Sequence, residues 1–230
     1  MNISRIQVQT LTQILPLENG DRLSQIEFER RYTAMPRLKK AELIEGVVHM
    51  ASPLRHRSHG LPHAAIMALL SAYWIATPGV DIGDNSTVRL DLDNEPQPDA
   101  LLRIELGGRS LINDDDYIEG SPELIVEIAA SSASYDLHSK KQVYCRNGVQ
   151  EYVVWQTFEQ KLDWFSLNEG EYVSLPDDNG VVKSSVFPGL WLAVPALLAG
   201  DLIEVITVLQ SGLASPEHAQ FIEFLSARSS

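Results

Sequence analysis

Two acids stand where acids are least expected. Asp99 opens the strand-like run QPDALLRI, and Glu127 sits inside PELIVEIAA, between Leu124, Ile125, Val126 and Ile128. Asp is depleted in strands, and a carboxylate in apolar surroundings loses hydration worth roughly several kcal/mol unless something compensates. If the two runs pair as antiparallel neighbours across the 107–120 segment, their carboxylates converge and repel, unless a cation lies between them. Repulsion of that kind predicts that removing Asp99 leaves the fold unchanged or more stable. Hard oxygen ligands at such a point suit Mg²⁺, with Mn²⁺ as the alternative, because Mg²⁺ usually takes one or two carboxylates plus waters and substrate phosphate. Downstream, Lys140 and Tyr144 are four apart and share a helical face. A lysine aimed at the same point stabilises charge on a phosphate or orients an attacking water. Two acids, a lysine and a divalent ion are the parts of metal-assisted phosphodiester hydrolysis.

Each residue also has a plainer reading. Asp99 follows Pro96 and Pro98 and suits a turn. Glu127 suits a buried pair with an arginine, or a strand's solvent face. Lys140 lies four residues after Asp136, the spacing of a surface ion pair worth about 0.3–0.5 kcal/mol. Lys141 competes for the same role but does not share the Tyr144 face. His59 and His63 are also four apart, but a zinc site needs further ligands, and the sequence has neither a Cys pair nor H-E-x-x-H. Ser131, Ser132 and Ser134 lack the G-x-S-x-G context of a nucleophile and read as a strand-to-helix turn. Trp155, Trp164 and Trp191 read as core.

The elements that must position these groups are legible in outline. Residues 1 to 20 read as a loosely attached entry. SQIEFERRYTAM reads as a short helix with Ser24 as N-cap. AELIEGVVHM reads as a hairpin turning at Glu45-Gly46. SHGLPHAAIMALLSAYWIA reads as a helix that stops at Thr77-Pro78-Gly79. STVRLDL, PDALLRI and PELIVEIAA read as strands, with GGRSLINDDDYIEG as a long loop. SYDLHSKKQVYCRNG reads as a helix closed by Asn147-Gly148. EYVVWQ, KLDWFSL, EYVSL and SSVF read as further strands, followed by two helices around PALLAGDLIEVITVLQ and PEHAQFIEFLSA. The order predicts a mixed sheet flanked by helices, α/β or α+β, in one domain spanning residues 1–230, with residues 195–230 as a helical appendage.

Composition narrows the function. The 230 residues carry 44% hydrophobic and 21% charged side chains, ordinary for a globular protein. No run of about 18 apolar residues and no secretory pattern is visible, and the single Cys145 forms no internal disulfide, so a cytoplasmic location is expected. The net charge of -13 argues against a nucleic-acid partner. The charge is polarised, however. Residues 30–57 hold seven basic and two acidic side chains, whereas the chain from Glu151 onward holds three basic and eleven acidic ones. A basic face is therefore available to phosphate.

The order PD at 98–99 followed by Glu127 in an apolar strand resembles the PD-(D/E)XK nuclease superfamily. More closely, SPELIVEIAASSASYDLHSKKQVYCRNGVQEYVVW resembles the Uma-two family of restriction-type endonucleases, with the ordered elements G-x-P-[DE]-L-x-x-E-[IV], a Ser-rich stretch, D-x-x-x-K-x-x-x-Y and G-V-x-E-Y. ELIEG at 42–46 and FPGLWL at 187–192 also match family landmarks, so the likeness covers roughly residues 40–200, the span of the expected core. The resemblance implies a restriction-endonuclease-like core and a divalent-metal site. Asp99 and Glu127 would be metal ligands, Glu42 an auxiliary acid and Lys140 the catalytic lysine; Glu42 also reads simply as a hairpin residue. The chain departs from the superfamily at Ala129, where the (D/E)XK lysine would stand, and Lys140 on the following helix takes that place. The implied function is a Mg²⁺-dependent endonuclease acting on nucleic acid, DNA first, as a homodimer that cuts both strands. The alternative of a different class is a nuclease-like fold kept as a binding module without turnover.

Overall fold

The structure, a computed structural model, describes residues 14–51, 53–130 and 132–228. Helix α1 (Gln25–Thr33) leads into strands β1 (Ala41–Ile44) and β2 (Val47–Met50). Glu45 and Gly46 between them have φ of 52° and 70°, the paired left-handed conformation of a two-residue hairpin turn, for which glycine is well suited. Ser24 occupies the N-cap position of α1 without a side-chain capping bond. The entry segment is less loose than expected over its described part: Leu17 is buried beside Phe28 and Leu43, and Gly20 N–H donates to the Val48 carbonyl at 2.8 Å. Its first thirteen residues lie outside the described residues.

A π-helical turn (His56–Gly60) runs into α2 (Leu61–Ala76), which ends at Thr77 as the sequence predicts. Next come β3 (Val80–Asp84), β4 (Val88–Arg89), β5 (Ala100–Ile104), β6 (Ser110–Ile112), β7 (Ile118–Gly120) and β8 (Leu124–Ala129). The stretch read as a long loop is thus a hairpin of β6 and β7 that also pairs with β4. Strands of three residues are too short to carry a period-2 signal. After β8, the turn α3 (Ala133–Tyr135), a second π-helical turn (Asp136–Lys140) and α4 (Lys141–Arg146) form one helical passage, closed by Gly148 at φ 80°.

The chain continues through β9 (Glu151–Gln156), β10 (Lys161–Asn168), β11 (Glu171–Ser174), β12 (Asp177–Asp178), β13 (Val181–Lys183) and β14 (Trp191–Ala193). Three helices follow where two were expected: α5 (Val194–Ala199), α6 (Leu202–Leu213) and α7 (Pro216–Arg228). Gly200, left-handed at φ 77°, ends α5, and Asp201 caps α6 by accepting the Glu204 N–H.

The central sheet has the order β11-β10-β9-β8-β5-β3, with β8 and β9 parallel and every other pair antiparallel. Strand alternation divides its side chains between two layers. Leu124, Val126 and Ile128 of β8 join α2 and the three C-terminal helices in the larger core, where Val205, Leu209, Phe221 and Leu225 are buried. Ile125 and Ala129 join Tyr144, Tyr152 and Val154 on the opposite face. The fold is α/β, with a mixed central sheet between helical layers.

Candidate active site

Residue parity settles why Glu127 stands in an apolar strand. It has the parity of Ile125 and Ala129, so it faces the layer that carries α4, not the main core. Ala100 pairs with Val126 across the β5–β8 ladder, and continuing that antiparallel register by one residue sets Asp99 opposite Glu127. The ladder itself is bridged by acid: the Ile128 N–H donates to Asp99 Oδ2 at 2.7 Å.

Glu42 arrives by a different route. In β1, Ala41 and Leu43 point into the small core around Phe28, so alternation turns Glu42 and its cross-strand partner His49 the other way. Main-chain bonds between Leu43 and Glu95 dock the hairpin on the segment that leads to Asp99, and the Gln97 N–H donates to Glu42 Oε1 at 2.8 Å. Lys140 comes from the second π-helical turn, a wider turn of the kind often found at functional sites. Its Nζ donates to Glu42 Oε1 at 2.8 Å and to Glu127 Oε1 at 2.9 Å, and Tyr144 Oη donates to the same Glu127 oxygen at 2.8 Å. The structure therefore brings Glu42, Glu127 and Lys140 into direct contact and sets Asp99 beside them. All four line one cleft of about 580 Å³, together with Lys40, Arg55, His59 and Asp136.

Lys140 is only 4% exposed and is not part of a surface pair. Lys141 instead lies 3.4 Å over the Phe165 ring, so of this pair it is Lys140 that lines the cleft. Glu127 pairs with a lysine, and Asp99 lies in the bend just before β5, as the turn reading has it, but is buried. His59 Nε2 lies 3.3 Å from Asp99 Oδ1, whereas His63 Nε2 engages the Asp99 carbonyl and Asp84. Ser131 lies outside the described residues, and Ser132 and Ser134 are exposed. Trp155 and Trp164 are core, while Trp191 is only partly buried, under Lys183.

Sequence reasoning missed Lys40, whose Nζ stands 3.5 Å from Asp99 Oδ1, and gave Asp136, the first residue of the D-x-x-x-K-x-x-x-Y run, no role of its own, although it is buried in the cleft. Lys40 carries no local signal, because it enters through a contact between segments distant in sequence.

The electrostatics follow from crowding. Burial pushes the Glu127 carboxyl up to about 8; Lys140 opposes this, while Asp99, Asp136 and Glu42 add to it. Asp136 is raised for the same reason, burial outweighing Lys140. Burial acts to lower Lys140, but the charges of Glu127, Glu42 and Asp136 hold its ammonium well above the usual lysine value. Asp99 is the exception. Burial would raise it, but the His59 contact, the Lys40 charge and the Ile128 N–H together keep it well below the ordinary carboxylate range. The repulsion expected between Asp99 and Glu127 is thus offset at Asp99 by the His59 contact, the Lys40 charge and the Ile128 N–H.

Four buried acids face the single buried ammonium of Lys140, with Lys40 and His59 at the edge. Such a surplus of hard oxygen donors fits a divalent ion such as Mg²⁺. Among the described residues, no three His, Cys, Asp or Glu side chains converge closely enough to hold an ion alone.

Two comparisons bear on this arrangement. A crystal structure of a putative nuclease belonging to DUF820 from Anabaena variabilis superposes with a TM-score of 0.52 at 12% identity, covering 78% of this chain and 97% of that one. At that identity the likeness speaks for the fold, which is restriction-endonuclease-like. No curated protein matches the chain. Residues 26–195 match the Uma2 family, described as "putative restriction endonuclease". That match takes in the hairpin that carries Glu42, the β5–β8 ladder of Asp99 and Glu127 and the helical passage of Lys140, and the chain belongs to the Uma2 family.

Proposed function

We propose that the protein is a divalent-metal-dependent endonuclease that hydrolyses phosphodiester bonds in DNA. The observation that carries this reading is the convergence of Asp99, Glu127, Glu42 and Lys140 in one cleft, from four separate segments of the chain. Asp99 and Glu127 hold the ion, Mg²⁺ or Mn²⁺, with Glu42 beside them. The ion supplies Lewis-acid charge that polarises the phosphoryl group and makes water a better nucleophile at neutral pH. Lys140 keeps its proton and balances the negative charge that builds on the phosphoryl oxygens. Tyr144 and Lys140 both bind Glu127 Oε1 and so fix the carboxylate's orientation. Arg55, exposed at the cleft, meets the nucleic-acid backbone.

The reading extends to a cytoplasmic homodimer that places two clefts on one duplex. No helix among the described residues is long and apolar enough to cross a membrane. The test is cleavage of plasmid DNA with MgCl₂ or MnCl₂ by the wild-type protein and by Glu127→Gln, with ion uptake followed by calorimetry. Cutting and ion binding that both vanish in the variant support the reading; a wild-type protein that neither takes up ion nor cuts refutes it. The net charge of -13 favours a second reading, a nuclease-like fold that binds a partner without turnover. Ion-independent binding without cleavage is its signature.

A further inference from the structure

The cleft holds two lysines, and their situations differ. Lys140 is firmly held: its ammonium makes two short charge-assisted bonds at 2.8 and 2.9 Å and is 4% exposed. Lys40 reaches in from the segment just before β1, and its side chain is 22% exposed. Its contacts are long for a charged donor, 3.5 Å to Asp99 Oδ1 and 3.2 Å to Asn85 Oδ1. Asp99 does not depend on it for hydrogen bonds, because the Ile128 N–H and His59 also engage the carboxylate. Lys40 is therefore a cation on a flexible stem, loosely held against a proposed metal ligand and reachable from solvent.

A divalent ion on Asp99 brings like charge to within a few ångströms of the Lys40 ammonium. The present contact with Asp99 then turns from net attraction to net repulsion, and a second anion becomes the better partner. The anion that the proposed reaction brings into the cleft is a phosphate. A loosely held, partly exposed lysine can turn towards it without breaking any buried bond, which Lys140 cannot do.

We propose that Lys40 exchanges partners: it holds Asp99 in the ion-free protein and binds the substrate's phosphate once a divalent ion occupies Asp99. This rests on the nuclease reading above, but it concerns a residue that neither the motif nor the family likeness singled out. It also makes Lys40 a competitor of the metal and an ally of the substrate. The two effects of its removal must have opposite signs, which loss of a merely structural contact would not produce.

The experiment titrates MgCl₂, and then a deoxynucleoside monophosphate in saturating MgCl₂, into wild-type protein, Lys40→Met and Lys40→Arg. Thermal melts confirm that each variant is folded. Lys40→Met is expected to bind Mg²⁺ about tenfold more tightly and the nucleotide about tenfold more weakly, a single unit charge being removed a few ångströms from both. Lys40→Arg is expected to restore nucleotide affinity. Mg²⁺ affinity that is unchanged or reduced in Lys40→Met, or nucleotide affinity that is unchanged, overturns the exchange. If the wild-type protein meanwhile binds the ion and cuts DNA, only this inference fails. A wild-type protein that takes up no ion overturns the nuclease reading and the inference together.

Discussion

Replacing Lys140 with Met keeps most of the apolar stem and deletes one buried charge. Glu42 and Glu127 each lose a bond shorter than 3 Å, and Asp136 loses the cation that opposes its burial. Breaking a buried pair by removing one partner costs about 3–5 kcal/mol, because the surviving charge stays desolvated. For a chain of this size each kcal/mol moves Tm by about 2–4 °C, so the melt should fall by about 6–20 °C near pH 8. The penalty should shrink near pH 5, because Glu127, already raised to about 8, then carries a proton and needs no cation. Added MgCl₂ should raise Tm more in the variant than in the wild-type protein, since the ion replaces the missing charge. Melts at both pH values, with and without MgCl₂, provide the measurement. A loss below about 1 kcal/mol at both pH values would mean that Lys140 behaves as an ordinary exposed pair, and the charge accounting of the cleft would be wrong.

Glu127→Gln should flatten the pH dependence of stability. A carboxyl whose folded pKa is raised to about 8 contributes stability that is fully present below its unfolded value near 4.5 and is lost as pH rises through about 8; urea melts across that window check the sign. Asp99→Ala should lower stability at neutral pH by about 1–3 kcal/mol, because the ladder bond to Ile128 and the contacts with His59 and Lys40 are lost; an unchanged melt would restore the simple repulsion picture. Glu151→Ala should cost about 3 kcal/mol or more, since this buried carboxylate accepts from Trp164 Nε1, the Ser184 and Ser185 hydroxyls and the Ser185 and Val186 N–H groups; denaturant melts measure it. Arg55→Ala with Arg57→Ala, two exposed cations, should reduce the slope of log K against log[salt] for duplex binding by about 2, read by fluorescence anisotropy.

The sequence alone determined the parts that depend on short spacing. Glu45-Gly46 forces left-handed backbone and so makes the β1–β2 hairpin, and the apolar run around Ile125 can only be a buried strand. Asn147-Gly148 ends the helical passage because glycine tolerates φ near 80°. The same local patterns exposed Asp99 and Glu127, since an acid in an apolar strand breaks an expected rule, and the ordered motif identified the family. What needed the tertiary structure was everything set by pairing between distant segments. The β5–β8 register puts Asp99 opposite Glu127, and the packing of the π-helical turn chooses Lys140 over Lys141. Two features lay beyond local pattern for the same reason. The β6–β7 hairpin was hidden because three-residue strands owe their form to their partners, not to their own periodicity. The repulsion expected at Asp99 is opposed by Lys40 and by the His59 contact, 59 and 40 residues away in sequence, which no local pattern announces. Coulomb energy depends on distance in space, and the fold alone sets that distance.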